Sequence, residues 1–253
     1  MKRFEAQRAF LKTDFHSLQG VQTGAKRGEP QPPAEKAPEA GQELYPLPEP
    51  VEEVLKKRDI WSCIRERRSV RRYSGERLSL PELSYLLWAT QGVSGHTAAG
   101  KPLRTVPSAG MTYTLETYLL LRDVEGLSAG IYRYQPFSHS LLQLRTLENS
   151  EALIDELTMG KTQPFLPYFA GKANAVFVWS TVPYRSEWKF DTQAHKKILL
   201  DAGHVCQNLY LAAESIDAGA CALGIYEQKG MDRLLGLDGE EEFVIYLAAV
   251  GKK

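Results

Sequence analysis

Five arginines fall within the eight residues Arg65-Glu66-Arg67-Arg68-Ser69-Val70-Arg71-Arg72, in a chain otherwise balanced at 31 basic and 31 acidic residues. Crowding guanidinium groups costs self-repulsion unless an anion offsets it. Guanidinium forks match phosphate oxygens bidentately, and the Ser69 hydroxyl adds a donor. The competing reading is a helix end whose cations face the negative pole of the helix dipole. Spacing alone leaves both readings open.

Three further segments carry weaker signals. Pro107-Ser108-Ala109-Gly110 is a run of small residues whose backbone amides can approach a ligand closely, or a plain turn. Asp201 to Leu209 lies on a long helical pattern with apolar residues at 199, 202, 206, 209 and 213 on one face. Gly203 there suggests close packing against a helix or a ligand, and Gln207 and Asn208 lie off the apolar stripe. His204 on such a helix reads more readily as a packed or surface histidine than as a catalyst. Ala222-Leu223-Gly224-Ile225-Tyr226 reads as a strand end where Gly224 is able to present a backbone N–H.

Holding these groups requires regular elements. Ile60, Cys63 and Ile64 predict a helix leading into the arginines. Ser79-Leu80-Pro81-Glu82 is a capping box with an early proline, starting a helix with Leu83, Leu86, Leu87 and Thr90 on its core face and Gly92 at its end. Val93 to Thr105 is small and polar and reads as a loop, a candidate lid. Strands are expected over 116–122, 130–135 and 140–145, the last two joined as a hairpin through Pro136-Phe137-Ser138-His139. A helix over 148–158, a buried strand over 173–182 and a long helix over 192–216 follow. A short strand over 219–223, a helix over 229–235 and a strand over 242–250 complete the pattern. Mixed helices and strands with a hairpin predict an α+β class.

Seven of the fourteen prolines lie between Pro30 and Pro50, so that stretch holds neither a helix nor a central strand. Residues 1–50 are therefore expected to form an extended arm, either a loose leader or a strap, with Tyr45, Leu47 and Val51 as apolar anchors. Residues 51–253 form the regular part. At 43% hydrophobic and 25% charged, with zero net charge, the composition is that of an ordinary globular protein. It argues against a phosphate-driven nucleic-acid binder and against a disordered tail. Cys63, Cys206 and Cys221 are odd in number without a CxxC, so no disulfide framework or zinc site is expected. No apolar run suits a membrane span or a secretory signal, and a cytoplasmic protein is expected.

Taken together, Arg67-Arg68-Ser69-Val70-Arg71, Pro107 to Gly110, Asp201 to Ala213, Ala222 to Gly224 and Ala249 to Gly251 resemble, in order and spacing, motifs of the nitroreductase superfamily. The order looks most like its SagB-type dehydrogenase branch, over about residues 55 to 252. The resemblance implies a three-layer sandwich with a central, mainly antiparallel sheet. It further implies an intertwined homodimer with FMN at the subunit interface, reduced by NADH or NADPH. By position, Arg67, Arg68, Ser69 and Arg71 would hold phosphate and ribityl oxygens. Pro107, Ser108, Ala109 and Gly110 would line the flavin edge, with Gln207 on the long helix joining the set. The Leu223–Gly224 backbone would face flavin N5, and Lys252 would reach the phosphate.

One departure stands out. SagB-type azoline dehydrogenases carry a Lys-Tyr pair for acid–base work where this chain reads Trp188-Lys189-Phe190. Lys189 remains a catalytic candidate, or else a surface lysine. A phenyl ring has no proton to exchange, which puts thiazoline or oxazoline oxidation in doubt. The leading expectation is hydride exchange from NAD(P)H through FMN to a small electron-poor acceptor such as a nitroaromatic or quinone. The alternatives are azoline oxidation on a peptide and a flavin-binding module without turnover.

Overall fold

A computed structural model of the chain describes residues 2–39, 41–158 and 169–253. Its strands are β1 (Leu44–Pro46), β2 (Val93–His96), β3 (Pro102–Arg104), β4 (Leu115–Leu121), β5 (Gly130–Gln135), β6 (Ser140–Thr146), β7 (Ala175–Thr181), β8 (Ala218–Leu223) and β9 (Phe243–Lys252). Seven of them form one sheet in the order β1-β6-β5-β4-β7-β9-β8, and every neighbouring pair is antiparallel. The helices are α1 (Glu5–Phe10), α2 (Ile60–Glu66), α3 (Leu80–Gln91), α4 (Ser150–Leu157), α5 (Tyr184–Phe190), α6 (Ala194–Ser215) and α7 (Gln228–Leu235).

Period-two alternation makes the sheet a partition between two cores. On β4, Leu119 and Leu121 face one side while Tyr118 and Leu120 face the other. On β7, Phe177 and Trp179 oppose Val176 and Val178. The first side packs against α3 and α6 through Leu83, Leu86, Leu87, Val205 and Leu209. The second packs against α4 and α7 through Ile154, Met231, Leu234 and Leu235. The product is an α+β, three-layer sandwich, as the sequence led one to expect.

The capping box forms as read: Ser79 Oγ accepts from Glu82 N while the Glu82 carboxylate accepts from Ser79 N at 2.9 Å. The 130–146 hairpin also forms, with His139 taking the left-handed conformation (φ 44°) at its turn. Several features depart from expectation, among them α1 and β1 within the stretch expected to be a plain extended arm. Val93 to Thr105 is not a loop, because β2 and β3 pair antiparallel there. The turn between them closes on Gly100 (φ 76°) and on Thr97 N donating to the Lys101 carbonyl. Helix α5 was not foreseen, since it is only seven residues long and Pro183 leads it without a side-chain cap. On α6 the buried stripe runs through Ile198, not Leu199, which is half exposed at 50%.

The N-terminal arm straps the molecule. Leu44–Pro46 adds an edge strand to β6, where Pro46, lacking an N–H, is tolerated because its outer side has no ladder partner. Upstream, Arg104 donates to the Ala34 carbonyl (2.7 Å), Arg133 to the Lys36 and Ala37 carbonyls, and Glu116 accepts from Lys36 N (2.8 Å). The described residues contain no helix long and apolar enough to cross a membrane.

Candidate functional site

Helix α6 organises the motif residues. Near its start, the buried Asp201 carboxylate accepts from Ala109 N at 3.1–3.2 Å and so clamps the Pro107–Gly110 loop. Burial holds the Asp201 carboxyl above its usual range, opposed by the hydrogen bonds it accepts from Ser108 and from the Ala109 amide. Nine residues on, Tyr210 serves the other half. Its hydroxyl accepts from Ala222 N (2.8 Å) and meets Ser69 Oγ (3.1 Å), and its ring lies beneath the Arg67 guanidinium at 5.2 Å. Nine residues of helix rise span about 13 Å, which sets the separation of the two anchor points along the helix. Asp201 opens the motif read from the sequence, but the sequence assigns no role to it or to Tyr210. The signal for Tyr210 was a phenol hydroxyl next to the apolar stripe of α6, between Leu209 and Leu211.

The arginine-bearing segment is held by sheet hydrogen bonding, since Ser69 forms a parallel bridge to Ala220 and Val70 N donates to the Ala220 carbonyl at 3.0 Å. The approach is close enough to demand Gly219: a Cβ there would sit 2.4 Å from the Val70 Cβ. The cluster then divides by role. Arg65 pairs with Glu66. Arg68 turns back to donate to the Arg65 and Arg67 carbonyls at 2.9 and 2.8 Å, closing the end of α2 as the helix-end reading anticipates. Arg67 and Arg71 have no carboxylate partner among the described residues: Arg67 rests on Tyr210, and Arg71 lies 5.8 Å from the Phe169 ring. Lys252, expected near the phosphate, is instead committed to Glu82 (2.6 Å) and to the Ile216 carbonyl (3.1 Å) in a nearly buried pair. Its place at the end of β9 made it a plausible ligand by position, but its side chain runs toward the start of α3.

The Pro107–Gly110 loop meets Lys189 directly. Lys189 Nζ donates to the Gly110 carbonyl at 3.1 Å, and a Cβ on Gly110 would lie 2.7 Å from Phe190 Cζ. Ser108 Oγ accepts from Tyr113 N (3.0 Å), while Pro107 stands exposed. The backbone here is unusual, because Gly110, Met111 and Tyr113 all adopt positive φ (63°, 57° and 45°). Two of these are not glycines, a strain that clusters at functional sites. It is held by Arg185, which donates to the Tyr113 carbonyl at 3.1 Å.

Gly203, Gln207 and Gly224 are exposed, and a Cβ at Gly203 or Gly224 would meet nothing within 4 Å. Packing among the described residues of the chain therefore does not account for either glycine. Leu223 is half-buried beside Gly224, and His204 is exposed. Ile60, Trp61 and Ile64 of α2, Leu199 and Leu200 of α6, and Ile225 after β8 are large apolar side chains facing outward, Trp61 at 72% exposure. All three cysteines are buried, and burial pushes the Cys221 thiol up, so it stays neutral beside Ser69 and Tyr210.

The chain is similar to known proteins over most of its length. Residues 64–252 match the model of the nitroreductase family. A protein named as a nitroreductase in Methanocaldococcus jannaschii is 32% identical over 188 residues, covering 74% of this chain and 88% of its own. The microcin B17-processing protein McbC of Escherichia coli is 27% identical over 121 residues, which is 46% of this chain and less than half (42%) of McbC. Among solved structures, a nitroreductase from Ralstonia eutropha superposes with a TM-score of 0.67 at 25% identity, covering 86% of this chain and 93% of that one. A nitroreductase from Desulfovibrio desulfuricans, solved in complex with FMN, has the same fold at TM-score 0.51 and 17% identity, covering 78% and 87%.

Proposed function

Because the chain belongs to the nitroreductase family, we propose that it is an FMN-dependent oxidoreductase that moves a hydride from NADH or NADPH to a small electron-poor acceptor, a nitroaromatic or a quinone. The observation that carries this reading is the pair Arg67 and Arg71, cationic and without a carboxylate partner among the described residues of a neutral protein, flanking Ser69. That donor set fits a phosphate monoester. The open space over Gly224 and Gly203 fits a ligand or a second copy lying there. When bound, FMN supplies two-electron exchange: NAD(P)H gives up a hydride and leaves as NAD(P)+, and the acceptor then takes two electrons and protons at the same open face.

The chain's own residues have three tasks. Arg67, Ser69 and Arg71 bind the phosphate and ribityl oxygens. The Pro107–Gly110 loop, fixed by Asp201, lines the ring edge, and the backbone at Leu223–Gly224 offers an N–H toward ring nitrogen N5. Gln207, on the same face of α6 as Gly203, is placed to meet the ligand. Arg68 and Lys252 are left out of this set, because their side chains already have partners. We further propose a homodimer burying Ile60, Trp61, Ile64, Leu199 and Leu200, with the flavin at the interface. Residues 51–253 would form the flavin-binding unit and residues 1–50 its strap.

The test is an absorbance spectrum of the purified protein, then anaerobic titration with NADH and with NADPH. Bound flavin that bleaches rapidly and turns over with an acceptor is expected. Absence of FMN binding would overturn the reading, and bound FMN that no nicotinamide reduces would leave a binding module. A second reading, azoline oxidation on a peptide, is favoured by one observation: the Lys189 ammonium sits on the Gly110 carbonyl, beside the proposed ring edge. Against it stands Phe190, whose ring carries no proton. Bleaching by an azoline peptide and not by NAD(P)H would select this second reading.

A further inference from the structure

Next to the Pro107–Gly110 loop lies a chamber of about 600 Å³ whose outer wall is the N-terminal strap. We propose that this chamber is the acceptor site and that it selects planar aromatic acceptors bearing an anionic substituent, a carboxylate or sulfonate. The inference rests on the FMN reading above and names the substrate class of that same site.

Four observations carry it. First, the chamber shares Gly110 and Lys189 with the loop that lines the proposed ring edge, so an occupant there lies beside the electron carrier. Second, Pro32, Met111, Phe137 and Trp188 give it apolar and aromatic walls suited to a flat ring, and its volume is in the range of small-molecule sites. Third, its charges are of one sign. Lys101 and Lys189 line it, no carboxylate does among the described residues, and the hydrogen-bond partners found there are neutral oxygens, Gln31 Oε1 (3.4 Å) for Lys101 and the Gly110 carbonyl for Lys189. An anion entering the chamber meets two ammonium groups that form no ion pair among the described residues, the nearby Glu35 carboxylate being turned to the Phe137 amide. Fourth, the walls are deliberately held. Gln31 bridges Lys101 and the Met111 carbonyl, Trp188 Nε1 donates to the Glu29 carbonyl (3.2 Å), and Ala25 N donates to the Trp188 carbonyl (2.9 Å). The positive φ at Met111 turns that residue within the floor. The strap thus completes a cavity that residues 51–253 alone would leave open.

The experiment compares 4-nitrobenzoate with 4-nitrobenzamide, matched in shape and differing in charge. Two readouts are used: kcat/KM with NADH or NADPH as reductant, and calorimetric titration of each compound into the oxidised full-length protein. Wild type is expected to favour the benzoate about fivefold or more in both, the scale of one exposed ionic contact, with the preference shrinking as salt is added. Lys101→Glu is expected to invert the preference. Gln31→Lys, which gives up the Lys101 contact but places a third ammonium at the exposed rim within reach of the Met111 carbonyl, is expected to enlarge it. Equal affinity for the two compounds in wild type, or a ratio that neither variant moves, overturns the proposal. The two readings fail separately. Discriminating binding without flavin turnover would keep the chamber and remove the FMN reading. Turnover without discrimination would do the reverse.

Discussion

Two groups of arginines in this protein are treated in opposite ways. Beneath the strap, Arg185 is buried and paired with Glu116. Arg104, also buried, donates to Gln91 and the Ala34 carbonyl and stacks on Tyr113, with burial pushing its pKa down to about 10. Arg133 donates to two strap carbonyls. At the edge of β8, Arg67 and Arg71 rest on aromatic rings with no carboxylate among the described residues. A buried charge must be satisfied by the chain itself or it destabilises the fold. A charge at the surface left without a partner is free to be satisfied by something else. The first group is architecture, and the second is where a ligand is sought.

The comparison breaks if the buried group is not structural. Arg185→Ala leaves Glu116 buried without its cation and removes the donor that holds the strained Tyr113 carbonyl. It is expected to destabilise the protein by about 3–5 kcal/mol, measured by chemical denaturation. Next in size, Arg67→Ala or Arg71→Ala is expected to weaken FMN binding by roughly 1.5–3 kcal/mol in a flavin titration, the scale of a charged hydrogen bond. The same substitutions should barely move the denaturation midpoint. Arg67→Ala and Arg71→Ala that melt the protein while sparing flavin affinity would reverse the assignment.

Lys252 sharpens the same distinction, because its position suggests a ligand while its contacts suggest architecture. Lys252→Met removes the ammonium from Glu82, although Glu82 keeps its capping contacts with Ser79. About 1–2 kcal/mol of stability should be lost, since the pair is nearly buried but its acid stays partnered. The loss of FMN affinity should be smaller than for Arg67→Ala, and a larger one would return Lys252 to the ligand set.

What was legible in the sequence follows from how local each signal is. The Ser79–Glu82 box and the 130–146 hairpin are fixed by residues within a few positions of one another, and both form as read. Strands β2 and β3, of four and three residues, are too short and too rich in small residues to show alternation. The strap's edge strand exists only because β6 offers a partner almost a hundred residues away. At the candidate site, residue types mark which side chains are able to bind a ligand, yet they do not encode where a long side chain turns. Arg67 and Arg68 are adjacent and chemically identical, but one covers Tyr210 while the other closes a helix. The Asp201 clamp on Ala109 spans 92 positions and has no local signature.

The smallest expected effect concerns how the strap is fastened near its end. His139 Nε2 lies 2.7 Å from Ser84 Oγ and 3.2 Å from the Pro48 carbonyl, and Nδ1 lies 2.7 Å from Tyr134 Oη. Because a carbonyl only accepts, these contacts assign the proton to Nε2, leaving Nδ1 to accept from the tyrosine. Burial, the largest influence, lowers the His139 pKa from 6.5, against the Pro48 contact and the Glu49 charge, which raise it. As pH falls, the unfolded chain therefore takes up this proton before the folded one, so His139 contributes stability above about pH 6.5 that is lost on acidification. Half-buried Glu35 and buried Asp201, whose carboxyl pKa values burial raises, act in the opposite sense, contributing stability that is lost as pH rises through their folded values. His139→Asn keeps a residue that tolerates positive φ while removing the titration. Its melting temperature should start lower at neutral pH and then fall less steeply than wild type between about pH 7 and pH 5.5. Parallel curves for the two proteins in that window would show that the strap is not fastened through this histidine, and the contrast between a sealed strap and the open edge proposed for the flavin would lose one of its supports.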